Sequence, residues 1–267
     1  GILGYMNVVK PLNYTLLTTI AADLSVTPIF AALITGGTLH IIPEEMITDA
    51  EKLGIYCREY GVDCMKLVPS HMEALLYRDT PSIYIPDYII LGGEQLKWSL
   101  VDKIKERHPT CKIFNHYGPT EVTVGVMAND IDQVERTGSV ISLGEPYGCS
   151  VIMVLDENLD PVVPGEIGEI YISGLGITRG YFQNDFLTKE KYMPNPWQEG
   201  EHDHTLYKTG DLARVNPQGQ LEFVSRIDHQ VKVRGYRVEL NEIQAHLEAK
   251  DEIQDSAVVA RINQNGE

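Results

Sequence analysis

Asn115-His116-Tyr117-Gly118-Pro119-Thr120-Glu121 decides how this chain is read. A short β-type run at 111–114 leads into it, and a second at 122–127 leaves it. Gly118-Pro119 specifies a turn between the two. The stretch presents an amide, an imidazole, a phenol, a hydroxyl and a carboxylate. That set is a poor choice for a core, and it suits a site that holds a base, a phosphate and a metal ion. Any four of these residues alone would read as a polar β-turn, so the decision rests on their partners elsewhere.

Upstream, strand-like and helix-like patterns alternate. Residues 16–21, 38–42, 63–67 and 88–91 are β-type runs, the last ending at Gly92-Gly93. A helical pattern begins at 30–34, 50–60 reads as an amphipathic helix, and 99–107 reads as another. Ser70 is placed to cap a helix over 71–77. This alternation predicts an α/β fold, a mainly parallel sheet covered by helices. After about residue 138 the pattern changes. Short β runs at 150–155, 168–173 and 221–224, separated by Gly, Pro and Asp, predict a small antiparallel β unit. A helical run at 240–249 and a β run at 256–260 follow.

Bulk properties narrow the function. With 22 Lys and Arg against 38 Asp and Glu, the net charge is −16, which argues against a nucleic-acid surface. Small anions would be received only at a local positive site. No apolar run is long enough to span a bilayer, and no signal peptide is visible. The expectation is a cytoplasmic protein with neither nucleic-acid nor membrane partners. Cys57, Cys64, Cys111 and Cys149 have no metal-ligand spacing and read as buried small hydrophobes in a reducing compartment.

Three further segments accompany the opening stretch. They are Tyr207-Lys208-Thr209-Gly210-Asp211, the run from Arg226 through Asp228, Lys232 and Gly235 to Glu239, and Gly165 to Gly174 with Gly180-Tyr181. In order and spacing these motifs resemble the adenylation domains of nonribosomal peptide synthetases, within the adenylate-forming (acyl-CoA synthetase) superfamily. The resemblance spans nearly all of the chain. It implies that residues 1–138 are the α/β half of a large subdomain and 139–227 a β-rich part. Residues 228–267 would be a hinge and the start of a small, mobile α+β C-terminal subdomain. The family's phosphate loop would then lie upstream of Gly1, and its acyl-contacting lysine beyond Glu267.

The resemblance also assigns roles. Asn115 would read the adenine amino group, where an amide suits a donor–acceptor edge. Tyr117 would stack on the ring. Gly92, Gly93 and Gly118 belong to the ATP or AMP site. Thr120 would contact phosphate, and Glu121 would ligate Mg²⁺, a hard cation that prefers oxygen. Asp211 would accept from the ribose hydroxyls, with Arg226 beside it. Asp228 would be the hinge, and Lys232 a catalytic residue of the crossover segment. Partners would be a peptidyl carrier protein domain bearing phosphopantetheine, and neighbouring synthetase domains.

The pocket for the acid would comprise Asp23, Leu24, Thr27, Lys66, Ile90, Gly92, His116, Val124 and Gly125. Asp23 matches the carboxylate that binds an α-ammonium, which favours an amino acid. Lys66 sits in an apolar run, and His116 stands where the family often has a small residue. A buried lysine is costly without an anion, although a lone lysine usually snorkels to water. A second carboxylate on the substrate would satisfy both cations, so L-aspartate is the expected substrate. Glutamate stays open if the pocket is deep, as does a β-substituted aspartate if Gly92 and Gly125 leave space. The alternatives are an acyl- or aryl-CoA ligase, which needs neither Asp23 nor the Lys66/His116 pair, and a non-catalytic nucleotide-binding fragment.

Overall fold

The computed structural model describes residues 1–8, 10–77, 83–197, 204–227, 231–233, 236–238, 240–250, 253 and 256–260. Seven strands form the first sheet, in the order β2-β1-β3-β4-β5-β6-β7. They are β1 (Asn13–Leu16), β2 (Thr38–Ile41), β3 (Cys64–Leu67), β4 (Tyr88–Gly92), β5 (Lys112–Tyr117), β6 (Met127–Asp130) and β7 (Glu145–Pro146). The first five run parallel. β6 and β7 close the far edge antiparallel.

Helices α1 (Ile2–Tyr5), α2 (Val26–Thr35), α3 (Glu44–Ile47), α4 (Ala50–Tyr60), α5 (Pro69–Tyr77) and α6 (Trp98–Arg107) connect these strands. The cap of α4 is legible in sequence: Asp49 accepts from the amides of Glu51 and Lys52, and Gly61 ends the helix at φ 60°. The pleat sorts the side chains into two layers. Met65, Leu67, Ile89, Leu91 and Ile113 pack under α4, α5 and α6. Tyr14, Cys64, Ile90 and Phe114 face the other way, against Ala31 and Ala32 of α2.

The second sheet is antiparallel, with β8 (Ser150–Leu155), β9 (Ile167–Gly174), β10 (Tyr192–Pro194), β11 (Thr205–Val215) and β12 (Leu221–Arg226). Helix α7 (Asp185–Lys191) precedes β10, a hairpin of β13 (Val231–Val233) and β14 (Tyr236–Val238) follows β12, and α8 is Leu240–Glu248. The mixed α/β class, with a mainly parallel sheet and a separate antiparallel one, agrees with expectation.

Several local readings are corrected. The β run at 16–21 is instead β1, which ends at Leu16. Ser70 lies inside α5, where its amide and hydroxyl both donate to Glu94 at 2.9 Å. The change of sheet falls between Pro146 and Ser150, not near 138, because β7 still pairs with β6. Residues 256–260 form no strand. Cys57, Cys64 and Cys111 are buried, but Cys149 is exposed. Among the described residues no helix is long and apolar enough to cross a membrane.

Candidate functional site

The C-terminal ends of β3, β4 and β5 meet where the sheet changes from parallel to antiparallel, the usual place for a ligand in an open α/β sheet. β5 runs on to Tyr117, beyond the expected end at 114, so Asn115 and His116 are strand residues. No second strand follows at once. Residues Thr120–Val122 make one turn of 3-10 helix, and Thr123 and Val124 take φ of 66° and 76°. A β-branched residue at such an angle is strained, and strain of this kind clusters at ligand sites. Gly118 lets the loop close, since a Cβ there would lie 2.6 Å from the Gly125 Cα.

The site holds two adjoining cavities that share Gly93, His116, Tyr117, Gly118, Asp211 and Arg226 in their walls. Asn115 and Tyr117 follow Ile113 on one face of β5, while His116 follows Phe114 on the other. The first face opens on a cavity of about 300 Å³ lined by Gly93, Leu96, Asn115, Tyr117, Gly118, Ile141, Asp211, Phe223 and Arg226, among others. The buried Asn115 donates its Nδ2 to Ser142 O at 2.8 Å, which leaves its Oδ1 to accept from a ligand.

Asp211 is a buried residue of β11, not a turn residue. Pairing of β11 with β9 shifts register between Lys208 and Leu212, and Gly210 in that gap has φ 76°. Such a bulge re-aims the side chain beside it. Tyr117 donates to Asp211 Oδ2 at 2.6 Å, and Arg226 donates to Oδ1 at 2.5 Å. A carboxylate has about four acceptor sites, so two remain for a ligand. Burial, then the Asp211 charge, pushes the Tyr117 phenol well above its ordinary range, so it stays a donor.

The second face opens on a smaller cavity of about 70 Å³. Asp23, Leu24, Lys66, Gly92, Gly93, His116, Tyr117, Gly118, Pro119, Thr120, Val124, Asp211 and Arg226 line it. The Lys66 ammonium does not snorkel. It is 4 % exposed and donates to Thr27 Oγ1 at 2.6 Å. Burial pulls it down to about 7, against Asp23, which raises it. His116 is equally buried, and burial and then the Lys66 charge hold its imidazole well below the usual range. Thr120 Oγ1 donates to Asp23 Oδ2, which ties the phosphate-motif hydroxyl to the proposed ammonium ligand.

Three expected members stand off the wall of this smaller cavity. Ile90 packs in the core, in register beside Lys66 on the neighbouring strand. Thr27 and Gly125 line a neighbouring apolar cavity that shares His116 and Val124 with the wall. The two glycines do not leave space for a substituent. A Cβ on Gly92 would lie 2.5 Å from His116 O, and one on Gly125 would lie 2.1 Å from the His116 ring. The room they release is taken by His116 itself.

Glu121 lines neither of the two cavities; it is buried and accepts from the Tyr181 hydroxyl at 2.7 Å. Lys232 is placed in β13, opposite Arg237. Asp228 lies outside the described residues, as does Gly235. Ser142 and Tyr147 were not singled out in the sequence, and Tyr181 was named only within a motif, with no role. Tyr181 closes the Gly180-Tyr181 motif and could have been found from it; Ser142 and Tyr147 sit in ordinary loop sequence.

Two cavities thus meet at the end of one strand. The chain belongs to the AMP-binding enzyme family, whose model matches residues 5–182. It is 40% identical over 260 residues to bacitracin synthase 3 of Bacillus licheniformis, covering 97% of this chain and 4% of that protein. It is 36% identical over 262 residues to tyrocidine synthase 3 of Brevibacillus parabrevis, covering 97% of this chain and again 4% of that one. The chain therefore spans only a small part of these curated relatives. A solved holo nonribosomal peptide synthetase protein containing adenylation and PCP domains superposes with TM-score 0.84 at 26% identity, over 95% of this chain and 44% of its own. A four-domain nonribosomal peptide synthetase bound to AMP and glycine does so with TM-score 0.75 at 30% identity, over 100% of this chain and 20% of its own.

Proposed function

We propose that this chain is the core of an amino-acid adenylating ligase in nonribosomal peptide synthesis, and that its substrate is L-aspartate. ATP and the amino acid would condense to an aminoacyl-adenylate with release of pyrophosphate. The aspartyl group would then pass to a phosphopantetheine thiol on a peptidyl carrier domain. The observation that carries the substrate assignment is the buried Lys66 and His116 on one cavity wall with Asp23. Asp23 would take the α-ammonium, and Lys66 with His116 the side-chain carboxylate.

The cavity of about 300 Å³ would take the nucleotide, with Asn115 Oδ1 accepting from the adenine amino group and Asp211 accepting from the ribose. Among the described residues no three His, Cys, Asp or Glu side chains cluster as a metal site. One carboxylate with phosphate and water oxygens is a normal Mg²⁺ environment, and the resemblance gives that place to Glu121; bonded to Tyr181 and off both cavity walls, its side chain would have to turn to reach a metal. The metal would neutralise charge on the polyphosphate.

The deciding experiment is amino-acid-dependent pyrophosphate exchange across the twenty amino acids, on the whole protein that carries this chain. Aspartate is expected to lead; a preference for asparagine or a large apolar residue would sink the assignment. Asp211→Ala tests the nucleotide half. Hydrogen bonds to a charged group contribute about 1.5–3 kcal/mol each, so KM for ATP should rise by roughly 10- to 100-fold. The order of preference among amino acids should not change. Unaltered ATP affinity would remove Asp211 from the site.

A further inference from the structure

We propose that Tyr147 is a positioning residue for substrate selection, holding His116 as the neutral tautomer whose Nδ1–H is offered to the side-chain carboxylate. This rests on the aspartate reading above. The Tyr147 hydroxyl lies 2.6 Å from His116 Nε2. The two rings are nearly parallel, 10° apart, with centroids 5.9 Å apart. Gly125 is the reason they can meet. A Cβ there would lie 2.1 Å from His116 Nε2 and 2.5 Å from the Tyr147 hydroxyl. The backbone holds Tyr147 in place just past β7, where its amide donates to Val126 O at 3.0 Å.

The tautomer follows from donor and acceptor counting. Burial and the Lys66 charge keep His116 neutral, so one ring nitrogen donates and the other accepts. Burial raises the Tyr147 phenol, so it keeps its proton. Among the described residues His116 is the only hydrogen-bond partner recorded for that hydroxyl. If Nε2 carried the proton, the phenol hydrogen would have no such acceptor. The alternative leaves the phenol hydrogen only the water of the adjoining open cavity, so the geometry favours Nε2 accepting from Tyr147, with the proton on Nδ1. With the Lys66 ammonium on the same wall, the site then offers two donors to one carboxylate. An asparagine amide would set its NH₂ against one of them, which is how a positioned histidine selects without touching the reaction.

The test joins Tyr147→Phe with nitrogen NMR of the histidines in the whole protein. Phenylalanine keeps the stacked ring and removes only the hydroxyl. The wild-type His116 signals should show a protonated Nδ1 and a bare Nε2, and the variant should move toward the other tautomer. In pyrophosphate exchange, KM for aspartate should rise ~10-fold and the aspartate-to-asparagine ratio should fall, while KM for ATP holds. A protonated Nε2 in the wild type overturns the inference even if the variant fails to fold. So does an unchanged ratio in a folded variant from a wild type that prefers aspartate. A wild type that prefers another amino acid overturns the aspartate reading itself, whatever Tyr147→Phe does.

Discussion

Lys66→Ala is expected to lower the ratio of aspartate to asparagine turnover by about two to three and a half orders of magnitude. The estimate comes from removing one partner of a buried ion pair, which costs roughly 3–5 kcal/mol. The lysine is 4 % exposed, so bulk water does not replace it as a partner for the incoming carboxylate. His116 is the other cation candidate on that wall, but it is neutral and gives only a dipolar hydrogen bond. Asparagine brings no charge and does not suffer the same loss. A ligase that must accept one of two near-isosteres gains most of its discrimination from such an unpaired-charge penalty. The measurement is kcat/KM for both amino acids in pyrophosphate exchange, with KM for ATP as the control. Equal losses for aspartate and asparagine would make Lys66 a structural residue, and the substrate assignment would lose its main support. The folded state should survive the change, because an unliganded buried ammonium is a burden to it.

The same side chains show which parts of this molecule can be read from sequence. The alternation of β-type and helical runs carries the parallel sheet, because its central strands β3 and β4 are buried on both faces and stand out as mostly apolar runs. Strand β11 was not seen as a strand, although its motif was. Its eleven residues include Thr209, Gly210 and Asp211, and a bulge with positive φ has no periodic signature. Ser70 looks like a cap because serine before a helical run usually is one. Glu94, distant in sequence, claims both of its donors instead. The loop after β5 misled for a similar reason: Gly118-Pro119 does mark a turn, but Val122 to Met127 is β-type in composition and mostly not in structure. Buried packing of Val122 and Val126 against Ile170 and Ile172 overrides the local propensity.

Asn115, Tyr117, Asp211 and Arg226 were named from motifs and meet around one cavity, whereas the residues that support them carried no motif. Tyr147 follows Glu145-Pro146 in what reads as a plain turn, and only the fold brings its hydroxyl to His116. The resemblance could name Gly92 and Gly125 as pocket members, but not what fills the space beside them. His116 occupies that volume, so the two glycines leave no room beside them for a substituent.

The affinity for aspartate should fall as pH rises through 7, and the affinity for asparagine should not follow it. Burial holds the Lys66 ammonium at about 7 in the ligand-free protein, well below an ordinary lysine. A bound side-chain carboxylate stabilises the charged form and raises that value. Below about pH 7 the lysine is charged before and after binding, so pH has no effect through this group. Above it, the free protein has lost the proton that the complex needs, and binding must take one up. Linkage then raises KM for aspartate by up to ~10-fold per pH unit, until the pH reaches the raised value in the complex. The substrate's own α-ammonium titrates in the upper part of this range for both amino acids, so the aspartate-to-asparagine ratio isolates Lys66. That ratio should be level below about pH 7 and decline above it. Calorimetry in two buffers of different ionisation enthalpy should show proton uptake with aspartate alone. Lys66→Arg supplies the control, since a guanidinium stays charged throughout and should flatten the decline. A ratio that stays level from about pH 6 to about pH 9 in the unaltered protein would mean that the Lys66 proton is not coupled to the substrate carboxylate.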